Sequence, residues 1–296
     1  MEFTDRARTR AQERLFDLVA GPDGPRTRDR VHGRRGPRWF PPGAPIRTVH
    51  GDVSMYVGGI RALLLQSLHP LAMAAVAEHS GFRGDPWGRL ARTSAFLATT
   101  TFGAADDAER MIAAVRAVHG RVQGTTPDGR PYRADDPHLL RWVHVAEVDS
   151  FLSAHDRYGL DRLDPAAADE YVAQVAEVGE RLGAGPGPLP RTRAELDAAL
   201  TAFRPELEGT AASRAATRFI LVHPPVPLAM RAPYGVLSSA AVGLLPRWTR
   251  PLLGLPWLPG TEATVGRASG YAAVGTLRWL MSPAPVNADE SVGAAG

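Results

Sequence analysis

The chain has 296 residues, 34 basic and 31 acidic, giving a formal net charge of +3, and 44% of it is hydrophobic. That is enough apolar sequence for a sizeable core, and so small a charge gives no reason to expect nucleic acid as a partner. Cysteine and lysine are both absent, which excludes disulfides, thiolate metal sites, cysteine nucleophiles, cysteine-ligated haem, Schiff-base chemistry and a lysine-anchored pyridoxal group.

Helical periods with start signals recur along the chain and strand-type alternation is scarce, so an all-α, multi-helical single domain is expected. Helices are expected near 3–20, 54–68, 70–79, 86–103, 106–122, 136–156, 165–182, 192–203, 208–222, 233–244 and 262–281. Asp85-Pro86, Asp136-Pro137 and Asp164-Pro165 each put a capping carboxylate before a proline that suits the first helical position. Thr192 and Glu195 read as a capping box. The expected division is an N-terminal helix with a basic, Pro/Gly-rich arm at 1–50, a helical domain at 51–283 and a flexible tail at 284–296. Asp5, Arg6 and Glu13 interrupt the first helix, which argues against a signal peptide and makes a cytoplasmic location the expectation.

The most apolar stretch is 219–259. Arg231, Pro233 and Pro246 break it before about 20 apolar residues accumulate. It reads as a core hairpin, or else as an apolar surface flanked by Trp248 and Trp257 that offers peripheral membrane contact.

Of the nine histidines, His32, His50 and His223 fall beside Gly, Pro or Arg and read as solvent-facing or locally bonded. His138 is expected at an exposed helix start and His155 at a helix C-terminal end. His69, His79, His119 and His144 lie in or at the end of apolar helical segments, where each alone reads as a core histidine. No HExxH pair, paired Glu-x-x-His, GxSxG, phosphate loop or strand-led GxGxxG is found. Haem remains compatible, with one neutral imidazole on the iron, apolar helices around the macrocycle and arginines near the propionates.

One helix stands out. "RLARTSAFLATTTFG" places Arg89, Arg92, Thr93 and a run of three threonines among apolar residues, and "VRAVHGRVQG" follows. Together with "SLHPLAM" and "PYRADDPHLLRWVHVAEVDSFL", these give the ordered set HP, RxxxT, FG, HxxVxG, Y, D, WVH. That set resembles the latex clearing proteins, which are rubber oxygenases, and the MpaB-type oxygenases, over about residues 50–280.

The resemblance implies a globin-like helical core holding one haem b, and oxidation of an apolar, isoprenoid or secondary-metabolite substrate by dioxygen or peroxide. It implies His119 as the proximal iron ligand and Arg89 and Thr93 as residues beside the haem serving oxygen chemistry. Arg92 stands where rubber oxygenases carry a lysine that can occupy the distal iron position, and a guanidinium is a poor iron ligand. The catalytic carboxylate of those enzymes has no obvious equivalent. The apolar helix there offers Glu78 only at its end, and His69 is the nearer polar substitute. His144 of "RWVH" is assigned to the cofactor's surroundings, on a core helix face with a local partner for its polar group. The alternative is a helical protein that binds haem or another small ligand without turnover; a third reading is a cofactor-free scaffold. On purely local grounds the arginines would instead bridge to Asp85, Asp106 or Asp107.

Overall fold

The computed structural model describes residues 2–79, 84–185, 187–257, 260, 264 and 266–282. The tail expected at 284–296 and the start expected for the last helix near 262 lie outside the described residues. The fold is a single all-α domain.

At the N-terminus are α1 (Glu2–Ala20), α2 (Gly24–Gly33) and α3 (Pro45–Gly51). The stretch expected as an irregular arm thus contains two helices. Pro25 and Pro45 lie in their first turns, where a missing N–H leaves no bond unmade, so residues that read as breakers act as starts.

The centre of the molecule is built from α4 (Met55–Gln66), α5 (Pro70–His79) and α8 (Pro137–Tyr158). Helix α8 buries Trp142, Val145, Val148, Phe151 and Leu152, and α4 lies along it with Val57, Ile60, Leu64 and Leu65. Burying an aliphatic side chain of this size stabilises the fold by about 1.5–3 kcal/mol. The two backbones come close at Gly58, where a Cβ would sit 2.8 Å from a Phe151 ring carbon. Between α4 and α5 the chain turns by 108° at Ser67–His69. Pro70 opens the second helix, having no N–H to continue the first.

A helical hairpin, α6 (Pro86–Phe102) and α7 (Ala105–His119), packs beside this centre, with α1 and α2 covering α6 from outside. Helix α7 was expected to run to residue 122. It stops at His119 because the chain enters the small antiparallel sheet of β1 (Gln123–Thr125) and β2 (Pro131–Arg133), where Gly124 faces Tyr132.

Helices α9 (Pro165–Leu182) and α10 (Arg193–Phe203), a 3₁₀ turn at Arg204–Glu206, α11 (Ala211–Leu221), a second 3₁₀ turn at Leu228–Met230, α12 (Arg231–Leu244), α13 (Thr249–Leu253) and α14 (Arg267–Met281) complete the chain. The cap readings hold: Asp85, Asp136 and Asp164 accept from the backbone amides of Gly88, His138 and Ala167. Thr192 accepts from Glu195, whose carboxylate accepts from the amide of Arg191. The 219–259 stretch divides. Ala240, Ala241, Leu245 and Leu253 enter the core, while Val222, Leu228 and Trp257 stay exposed.

Candidate active site

At about 100° per residue, α6 has two distinct sides. Ala91, Ala95, Ala98 and Phe102 form one, and it faces α1 and α2; the Cβ position of Gly21 lies only 2.9 Å from Ala91. Arg89, Thr93, Phe96 and Thr100 form the opposite side. No residue from 86 to 98 is buried, although α6 is covered from outside. On the side carrying Arg89 and Thr93, Phe96 packs against the core and Thr100 is buried, so this side turns inward at its C-terminal end.

Arg89 is half-buried, and desolvation, reinforced by the Arg92 charge, pulls its guanidinium below the usual arginine range. Thr93 is exposed and donates its hydroxyl to the Arg89 carbonyl at 3.1 Å. Arg92 points elsewhere, exposed and 3.3 Å from Asp85. The helix-end bridge expected on local grounds is thus made by Arg92. Asp106 and Asp107 pair instead with Arg34 and Arg110.

The short link at Gly103 and Ala104 joins α6 to α7, and Arg89 and His119 lie about 20 Å along the two arms from that turn, at about 1.5 Å of rise per residue. His119 is half-buried, and its Nδ1 is buried with no hydrogen-bond partner. Desolvation lowers its pKa against the opposing charge of Asp135. Asp135 is itself held by Arg133 at 2.8–2.9 Å.

A polar chain that sequence reasoning missed crosses the interior. His50, at the end of α3, lies 2.8 Å from the Thr101 hydroxyl on α6 and 3.3 Å from the Tyr171 hydroxyl on α9. Burial holds the His50 imidazole down at about 3. The expectation of a solvent-facing or locally bonded His50 is therefore wrong, because its partners are 51 and 121 residues away. Glu147 of α8 acts electrostatically on Tyr171, and desolvation pushes its own carboxyl up to about 7. Glu147 nevertheless keeps some accessible surface. Desolvation disfavours the charged form, which is what raises this carboxyl. The signal was a lone acid within "VHVAEV", in a helix buried on most sides.

His69 and His144 make none of these contacts. His144 is buried against α9, where a Cβ on Gly179 would lie 2.7 Å from its Nδ1; burial lowers it to about 4, and its Nε2 has no partner, contrary to the expected local bond. His69 is buried in the α4–α5 corner beside Trp142 and His138. The expected exposure of His138, His32 and His223 holds, whereas His155 is fully buried in the last turn of α8. Glu78 accepts a 2.5 Å hydrogen bond from the Tyr132 hydroxyl, which ties it to the β-hairpin.

The family model for the catalytic domain of the ER-bound oxygenase mpaB/B'/rubber oxygenase matches residues 47–279. The chain belongs to this family. The match begins inside α3 and ends inside α14, so it contains Arg89, Thr93, His119, His50 and Glu147 and leaves α1 and α2 outside. No curated protein and no solved structure matches the chain. Membership of an oxygenase family makes an oxygenase-type activity the coarse functional assignment. Among the described residues no single helix is long and apolar enough to cross a membrane; α4 and α5 pass only as a pair, and they are bent at the His69 corner.

Proposed function

We propose that the chain is a haem b oxygenase with the iron held by His119, which oxidises a small apolar substrate using dioxygen or peroxide. The observation that carries this reading is the buried, unpartnered ring nitrogen of His119, on the helix that follows the one bearing Arg89 and Thr93 and inside the stretch matched by the oxygenase family. These residues fit haem chemically. A neutral imidazole would serve as the iron's donor, the nearby charge of Asp135 would raise its basicity, and a desolvated guanidinium would suit a propionate. Haem, when bound, supplies the redox chemistry of oxygen activation.

The protein's own groups then have separable tasks. Arg89 offers a cation whose effect is large in a poorly solvated place, and Thr93 keeps an exposed hydroxyl on the same helix side. Arg92 is engaged with Asp85 and would not serve as an iron ligand. With Glu78 bonded to Tyr132, a carboxyl suited to proton transfer is Glu147, whose pKa of about 7 fits exchange near neutrality. Thr101, His50 and Tyr171 extend from it as a line of hydroxyl and imidazole groups. The exposed apolar residues Val222, Leu228 and Trp257 give a greasy substrate or a lipid surface a place of approach.

Since neither the lysine nor the early carboxylate of the rubber enzymes is reproduced, polyisoprene cleavage is expected to be weak, and shorter isoprenoid or aromatic compounds should bind. The bond that ties down Glu78 also favours the second reading, haem or ligand binding without turnover. Visible spectra of the purified protein, oxidised and reduced with carbon monoxide, test the cofactor: a Soret band shifting on carbon monoxide addition is expected, and a colourless protein after haem supplementation contradicts it. Titration of the ferric protein with short isoprenoids tests the substrate class. Flat titrations with efficient release of carbonyl fragments from latex would overturn that part.

A further inference from the structure

The α4–α5 corner contains a cluster that the oxygenase reading does not use. His69, at the corner, His138, one residue into α8, and Glu206, at the end of the 3₁₀ turn after α10, come from segments about 70 residues apart, yet their ligand atoms all lie within 4.8 Å of one another. The Glu206 carboxylate oxygen is 2.7 Å from His138 Nε2 and 3.6 Å from His69 Nε2. His69 is 3% exposed, and neither of its ring nitrogens has a hydrogen-bond partner. A buried polar atom left unpaired is costly, so such an imidazole calls for a ligand.

We propose that His69, His138 and Glu206 form a mononuclear zinc-type metal site. Two imidazoles and one carboxylate are a borderline donor set suited to a divalent transition ion, with bonds of about 2.0–2.2 Å. The side chains need to shift by less than about 1 Å to place a common centre at those distances, given tetrahedral donor separations near 3.4 Å. The surroundings hold the ligands in place. The amide of Glu208 donates to the Leu68 carbonyl at 2.8 Å, which brings the chain just after Glu206 against the corner carrying His69. The His138 ring lies against Phe203, with centroids 4.9 Å apart, and Trp142 lies between Phe203 and His69. This aromatic floor closes the inner side. Arg130, the nearby cation, is already neutralised by Asp128 and Glu208 at 2.8 and 3.0 Å. His138 and Glu206 are exposed, so the outer side is open to water as a fourth ligand. The ion would staple the α4–α5 corner to the start of α8 and the end of α10.

This site is independent of the haem reading, and the test reads zinc rather than iron. The full-length protein, stripped with a chelator and dialysed, is titrated with Zn²⁺ by calorimetry, and zinc and iron are counted separately by mass spectrometry. One zinc per chain is expected, with a raised thermal midpoint. His138→Ala and Glu206→Gln, both exposed positions that tolerate change, should each weaken binding by more than the roughly 10- to 100-fold typical of losing an outer-shell partner and abolish the thermal shift. His223→Ala, at an exposed histidine outside the cluster, should bind as the parent does. Absence of a one-to-one site, or binding unchanged in either ligand variant, overturns the proposal.

Discussion

The seam between α4 and α8 and the hairpin of α6 and α7 are both made of apolar helix carrying a few polar groups, and those groups differ in how completely they are bonded. In the seam, Arg61 is buried and fully engaged: it meets Asp149 at 2.7 Å, the Ser150 hydroxyl at 2.7 Å and the Leu244 carbonyl at 3.0 Å, joining α4, α8 and α12. On the hairpin, Arg89 is half-buried and desolvated, and His119 keeps a buried ring nitrogen unbonded. A packed helix that spends its polar groups on neighbours is doing structural work. A helix that keeps a buried imidazole nitrogen without a partner, as α7 does at His119, has a donor atom available to a ligand.

The largest effect should come from breaking the seam. Arg61→Ala leaves Asp149 buried without its cation, and loss of one partner of such a pair costs about 3–5 kcal/mol. Urea unfolding should show that loss, and a change below about 1 kcal/mol would mean that the seam tolerates an unpaired charge.

Next is Glu147, which belongs to both regions because it sits on α8 among the interior groups. Its folded-state pKa of about 7 stands above the ordinary 4.5 through burial, so the native state keeps a proton that the unfolded chain releases. Stability tied to this group is present below about pH 4.5 and is lost as pH rises to about 7. Glu147→Gln should remove that loss, leaving the variant more stable relative to the parent at pH 8 than at pH 5 by on the order of 3 kcal/mol. His50 and His144, held neutral at about 3 and about 4 by burial, act in the opposite sense, costing stability as pH falls below about 6.5. Parallel pH–stability curves for parent and Glu147→Gln would refute the assignment.

The smallest stability effects are expected on α6, where the arginines should separate by function. Arg92→Ala removes only an exposed pair worth about 0–1 kcal/mol and should leave oxygen reactivity unchanged. Arg89→Ala and Thr93→Val should retain most haem yet speed autoxidation or slow turnover. Equal behaviour of Arg89→Ala and Arg92→Ala in autoxidation would erase the distinction between the two faces.

Local signals made the helices legible. An Asp before a Pro fixes a helix start wherever the rest of the chain goes, so three starts were found to within one residue. The RxxxT face was legible because a four-residue spacing fixes two side chains on one side of any helix. His50 was hidden because its helix is short and follows a Pro/Gly segment with no periodicity, and its partners are set by tertiary packing. The His69, His138 and Glu206 cluster was equally invisible, since no two of its members share a helical turn. The small β-hairpin escaped because three-residue strands carry no measurable alternation.

Whether the hairpin binds haem through His119 is tested most directly by haem content and visible spectra of the parent, His119→Ala and His144→Ala, prepared identically. The account predicts that His119→Ala loses haem or its iron–imidazole spectrum while staying folded, whereas His144→Ala keeps the spectrum and loses mainly thermal stability. An unaltered spectrum in His119→Ala, with haem lost from His144→Ala, would contradict it.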